Sequence, residues 1–248
     1  SIRDCEICCF ADKTVLVRQG YGHSVDGCYL HELGGSGIEM FGGDRRSLES
    51  CGFTVRNTIV DNFALFWRIY EPAVHFCGVG GRITHCRFTN GPSSAFRLEG
   101  NDITVEYCQC FDVVTESDDQ GGIDSYGDYT FRRIVVRYNH WKRICGGQIV
   151  GAAAVRFDDY VSGHIVYGNV FEHCGGCGFG GVNINGGRDN YVCNNVFYDC
   201  VYAVSGDAWV GDVWKERCVD TQEGRIWADS VLPMPQDTPN SRRISKTA

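Results

Sequence analysis

Residues 155–197 read VRFDDYVSGHIVYGNVFEHCGGCGFGGVNINGGRDNYVCNNVF, and this stretch decides the fold. It holds one phrase twice, HIVYGNVFEHC from His164 and NYVCNNVFYDC from Asn190, separated by a Gly-rich segment in which polar and apolar residues alternate. Aligning Val166 with Val192 brings Asn169 onto Asn195, Phe171 onto Phe197 and Cys174 onto Cys200. A recurring unit of this length is the mark of a repeat architecture.

Outward from there the phrase recurs as IRDCEI, VDGCYL, VRNTIV, ITHCRF, VEYCQC, VRYNHW, VYGNVF and VCNNVF. The copies start at Ile2, Val25, Val55, Ile83, Val105, Val136, Val166 and Val192. Eight copies spaced by ~20 to 30 residues describe a solenoid whose coils stack on one another. The fourth position reads Cys5, Cys28, Thr58, Cys86, Cys108, Asn139, Asn169 and Asn195. Equivalent residues of stacked strands lie ~4.8 Å apart, so the Asn side chains can hydrogen-bond along an internal ladder. The sixth position, Ile7, Leu30, Val60, Phe88, Cys110, Trp141, Phe171 and Phe197, is an apolar stack.

Each later coil carries a second alternating segment: GIEMFGG, AVHFCG, AFRLEG, GIDSYG, AVRFDD and GVNING. Period-two alternation turns Ile38, Val74, Phe96, Ile123, Val155 and Val182 inward. Glu39, His75, Arg97, Glu99, Asp124, Tyr126, Arg156, Asp158, Asn183 and Asn185 then form an outward polar stripe. No long window keeps the helical i, i+3, i+4, i+7 spacing, and Gly interrupts every candidate. The expected fold is all-β, a right-handed parallel β-helix of about eight coils over 1–206. Residues 207–248, where the repeat is lost and Pro accumulates, are expected to form a cap and flexible tail.

The chain of 248 residues, 43% of them hydrophobic, is long enough to bury a sizeable core, and 32 Gly point to many turns. A formal charge of −8 argues against nucleic acid or an anionic membrane as partner. No apolar run approaches the ~20 residues of a membrane-spanning helix. The N-terminus SIRDCEICCF lacks the build of a signal peptide and starts inside a repeat, so a fragment of a longer polypeptide is expected. Fifteen cysteines are an unusual load. Four occupy the ladder position, where they read as small buried thiols rather than disulfides.

These segments carry a resemblance. FGGDRRSL, RIYEPAVHFCGVGGRITHCRF, EGNDITVEYC, ESDDQGGIDSYGDYTFRRIVVRYN, and the pair DDYVSG and GGRDN resemble large bacterial polysaccharide-active β-helix proteins, of the kind called glycoside hydrolase family 141-like. The resemblance implies cleavage of a polysaccharide or oligosaccharide by paired carboxylic residues, in an extracellular or periplasmic setting. This chain departs from the pattern in its cysteine content.

Glycoside hydrolysis needs a proton donor beside the leaving oxygen and a second carboxylate as nucleophile or base. One acidic cluster is Glu116, Asp118, Asp119 and Asp124; the other, a coil later, is Asp158 and Asp159. The candidate pair is Asp119 or Asp124 with Asp158 or Asp159. Close carboxyls raise one another's pKa, which keeps one protonated as an acid. Arg97 and Arg156 are candidates to hold the ionised partner or grip substrate; Glu39, His75, Glu99, Tyr126, Asn183 and Arg188 are candidate sugar contacts. The same residues also admit a plain structural reading, since Asp and Asn form turns and Arg–Asp pairs are common on sheet surfaces. GGRDN reads either as a loop bringing Arg188 to the cleft or as a turn capped by Asp189.

Cys174 and Cys177, with His173 before them, form a lone C-x-x-C without the second pair a zinc site needs. Cys174 and Cys200 fall within disulfide reach, stacked free thiols being the simpler reading. His31, His85, His140 and His164 read as structural. No organic cofactor is implied. Calcium-assisted lyase or epimerase chemistry stays open as an alternative, although the stripe has no Lys to serve as base. A purely structural or carbohydrate-binding β-helix stays open as well.

Overall fold

The structure, a computed structural model, describes residues 1–218. Its strands form three sheets, each running the length of a parallel β-helix, with the core enclosed between them. In the first sheet Ile2, Val25, Val55, Ile83, Val105, Val136, Val166 and Val192 stand in one register column, as the phrase predicts. In the second, Ile7, Leu30, Val60, Phe88, Cys110, Trp141, Phe171 and Phe197 do the same. The third aligns Ile38, Val74, Phe96, Ile123, Val155 and Val182. It also includes the first coil's strand Val15–Arg18, which the list of alternating segments above leaves out.

Stacking identical positions builds the core from like on like. The rings of Phe171 and Phe197 lie parallel with centroids 4.8 Å apart, and Trp141 continues the row. Each fully buried aromatic of this kind contributes roughly 1.5–3 kcal/mol. Because every coil turns at the same places, the backbone repeats as well. The third phrase position, Asp4, Gly27, Asn57, His85, Tyr107, Tyr138, Gly168 and Asn194, is left-handed in every coil, with φ from 51° to 66°. Gly, Asn and Asp enter that region cheaply. Where His85, Tyr107 and Tyr138 take it instead, their rings stack at 5.0 and 5.2 Å. A second left-handed residue follows the second-sheet strand at Cys9, Glu32, Asn62, Asn90, Asp112 and Asp199, and falls near the end of the longer strands His140–Ile144 and Val170–Cys174 at Arg143 and His173.

The ladder is real but divided. Asn139 and Asn169 each receive the backbone N–H of the preceding coil's ladder residue, and Asn195 receives that of Asn169, at 2.9–3.0 Å. The amide groups also bond coil to coil. Cys28, Cys86 and Cys108 instead donate S–H to the carbonyl two residues back. A thiol is small enough for the slot, but it makes only a weak donor and acceptor.

Of the expected cap and tail, residues 219–248 lie outside the described residues. Asp212–Cys218 form a short helix, α1, whose Trp214 packs against Tyr160. Among the described residues no helix is long and apolar enough to cross a membrane.

Candidate functional site

The third sheet sets Glu39, His75, Arg97, Asp124, Arg156, Asn183 and Ser205 side by side, one per coil. The stripe exists, but the expectation that it faces solvent is only half right. Glu39, Asp124, Arg156 and Asn183 are all buried. The cause is the uneven coil length: extra residues between the second and third sheets fold back over the stripe. Tyr70 and Pro72, in one such excursion, roof Asp124. In another, Gly176–Cys177 pairs antiparallel with the strand Gly151–Phe157, and the Phe179 ring lies 5.3 Å from the Arg156 guanidinium.

Arg156 is the centre. Its Nη2 lies 2.7 Å from Asp119 Oδ1 and 2.6 Å from Asp158 Oδ2, while Nη1 lies 3.6 Å from Asp124 Oδ1. Nη1 also donates to the Asp119 carbonyl. Two oxygens held by one nitrogen can be no further apart than the sum of those contacts, so Asp119 and Asp158 approach within about 5.3 Å. Three of the four predicted carboxylates thus converge. Asp159 follows Asp158 with φ 43° and begins the turn that leaves the strand.

The three carboxylates sit in unequal surroundings. Asp124 is 2% exposed, and burial pushes its carboxyl up to about 7. The nearby Asp158 and Asp119 push it further the same way, against Arg156 and Arg97. Asp119 is half exposed and ion-paired; Asp158 also accepts from Asn185 Nδ2 at 2.8 Å. Glu99 shows the opposite outcome. Its burial is outweighed by His75 at 3.2 Å and Arg97 at 2.6 Å, which bring it down to about 2.

Beside Asp124 is a cavity of about 10 Å³ lined by Tyr70, Pro72, Ser94, Arg97, Gln120 and Asp124. That volume holds about one water molecule. A sugar ring enters only if the segment carrying Tyr70 moves. Ser94 Oγ and Asp124 Oδ1, which belong to residues lining the cavity, and Arg156 Nε and Asn183 Oδ1 further along the stripe are buried with no hydrogen-bond partner among the described residues.

The other predicted residues are distributed as follows. Glu39 is paired with Lys13. Tyr126 lies under the Arg97 guanidinium, 4.6 Å from ring centre to Cζ. Asn183 donates to Ser205 Oγ at 3.0 Å. Glu116 pairs with Arg68, and Asp118 accepts the backbone N–H groups of Ile149, Val150 and Gly151, so neither joins the carboxylates on Arg156. Arg188 is away from the stripe: its guanidinium stacks on Trp214 at 4.4 Å, and its N–H bonds Ser162 Oγ. Within GGRDN, Asp189 is left-handed at φ 56°. Tyr70 and Ser94 were not visible as site residues in the sequence, because both come from connections outside the alternating strands. Among the described residues no group of three or more His, Cys, Asp or Glu side chains is arranged to hold a metal ion.

Comparison with protein-family models, with curated proteins and with solved structures finds no match for this chain. The resemblance to polysaccharide-active β-helix proteins thus rests on the quoted motifs alone.

Proposed function

We propose that this parallel β-helix acts on a glycan chain laid along the third sheet, as a glycoside hydrolase in which Asp124 is the acid. The observation that carries this reading is the set of buried atoms at Ser94, Asp124, Arg156 and Asn183 that have no hydrogen-bond partner among the described residues. Native folds leave few such atoms, and a group of them along one stripe calls for an explanation. A guanidinium N–H can only donate, a carboxylate or amide oxygen accepts, and a serine hydroxyl does both. Sugar hydroxyls, which also donate and accept, match that mixture. Three carboxylates around one arginine disfavour a phosphorylated or carboxylated ligand at the same point.

In this reading Asp124, kept protonated near neutral pH by burial, delivers the proton to the leaving oxygen. Asp158 or Asp119, paired with Arg156, supplies the ionised carboxylate. Access requires the segment bearing Tyr70 to lift.

The test is a release assay on a panel of plant and algal polysaccharides, with Asp119→Asn, Asp124→Asn, Asp158→Asn and Asp159→Asn beside the parent. Reducing ends released by the parent should fall by roughly 10²-fold or more in Asp124→Asn and in one of the other three variants. Unsaturated, ultraviolet-absorbing products would replace hydrolysis with elimination. Retention on a glycan matrix without product from any substrate would leave only a binding surface.

A further inference from the structure

We propose that Cys174 and Cys200 are a redox pair, a dithiol that a hydroperoxide or a small disulfide converts into a cross-link between the last two coils. The placement comes from the register. Glu172 pairs with Tyr198, so Cys174 and Cys200 follow two residues later on adjacent coils. The Val201 N–H bonds the Cys174 carbonyl at 3.2 Å and keeps the chains side by side at that point. Neighbouring parallel strands run ~4.8 Å apart, inside the ~4.4–6.8 Å Cα separation that a disulfide spans. The Cys200 thiol already reaches across, 3.6 Å from the Phe171 carbonyl.

The two sulfurs differ in a way that assigns roles. Cys174 is fully buried and Cys200 is partly open to solvent. The neighbouring Cys174 thiol favours thiolate on Cys200, down to about 6, and burial holds Cys174 as the thiol. A thiolate with access to solvent is the attacking species in thiol oxidation. With a hydroperoxide, the Cys200 sulfur attacks the O–O bond; the proximal oxygen becomes a sulfenic acid on Cys200 and the distal one leaves as water or alcohol. The Cys174 sulfur then attacks Cys200, the S–S bond forms, and the sulfenic oxygen departs with the Cys174 proton as water. Two electrons pass from the thiols to the peroxide.

Other cysteines of the chain provide the contrast. Cys86 and Cys108 are also coil neighbours, but both are buried, and burial pushes Cys108 upward, so neither offers a nucleophile. Cys145, exposed and donating to the His173 carbonyl at 2.8 Å, is the competitor to be excluded.

The experiment treats the folded chain with a few equivalents of hydrogen peroxide, blocks remaining thiols, and maps peptides by mass. The expected product is a Cys174–Cys200 peptide pair lacking two hydrogens. Cys200 should also alkylate at neutral pH at least about tenfold faster than Cys177, an exposed cysteine whose S–H donates to the Gly147 carbonyl. In Cys174→Ser the sulfenic acid on Cys200 should persist long enough to be trapped by a cyclic 1,3-dione, while Cys145→Ser should form the cross-link normally. Parent protein that gives no Cys174–Cys200 link, or links Cys145 instead, overturns the proposal. So does a Cys200 no faster than Cys177.

Discussion

Asn169→Ala removes one rung of the internal ladder, and the structure states what is stranded. Asn169 Oδ1 accepts the Asn139 backbone N–H and Nδ2, each at 3.0 Å; its own Nδ2 donates to the Val136 carbonyl at 2.9 Å, to Tyr167 at 3.2 Å and to Asn195 Oδ1 at 3.0 Å. Asn139 is buried, so water does not replace the lost acceptor. Asn139 Nδ2 keeps its bond to the Val105 carbonyl, which leaves the backbone N–H as the one orphaned donor. An orphaned buried donor costs about 1–3 kcal/mol and each further bond lost adds up to about 1, so the expected loss is at least about 3 kcal/mol. Asn169→Thr should cost about 1 kcal/mol. Thr58, at the same position, accepts the Cys28 N–H and donates to the Arg56 carbonyl, which shows that a hydroxyl can fill the slot. Urea unfolding followed by circular dichroism reads the stability, and amide exchange at Asn139 reads the local opening, which matters because stacked repeats can unfold in parts. An Asn169→Ala variant within about 0.5 kcal/mol of the parent, or an Asn169→Thr variant as costly as the alanine, would refute the reasoning.

Two further outcomes are expected. Gly42, Gly78 and Gly100 stand in register, and a Cβ on Gly78, whose φ is 138°, would lie 1.8 Å from the Gly42 carbonyl oxygen. Gly78→Ala should therefore cost about 3 kcal/mol or more in thermal unfolding. At Gly127, where φ is 84° and nothing lies within 4 Å, alanine should cost only about 1 kcal/mol. Asp124→Asn should change the pH dependence of stability. The folded carboxyl, raised to about 7, holds its proton more tightly than the unfolded one at about 4, so the parent loses stability as pH rises through that interval. The advantage of Asp124→Asn over the parent should grow from pH 4 to 7, by up to about 4 kcal/mol in melts at stepped pH; a difference that stays flat would place the Asp124 carboxyl at its ordinary value.

The repeat phrase alone determined the parallel β-helix, its register and the identity of the core stacks. In a stack of coils each residue's neighbours are its own equivalents, so aligning Val166 with Val192 is already a statement about contact. Alternation likewise placed Asp124 beside Arg156 and Asn183 on one face. The left-handed positions were legible too, in the Gly, Asn and Asp of the third phrase position, but His85, Tyr107 and Tyr138 hide the pattern there. Only the tertiary structure decided which acidic residues belong together. Glu116 and Asp118 sit close in sequence to Asp119, yet one turns to Arg68 and the other to the backbone of 149–151. Only the structure, too, showed the stripe to be covered. Tyr70 and Phe179 arrive from excursions of irregular length, and where such a segment folds back depends on long-range packing that no local period encodes. Beneath that covering layer Asp124 is buried, and burial raises its carboxyl to about 7.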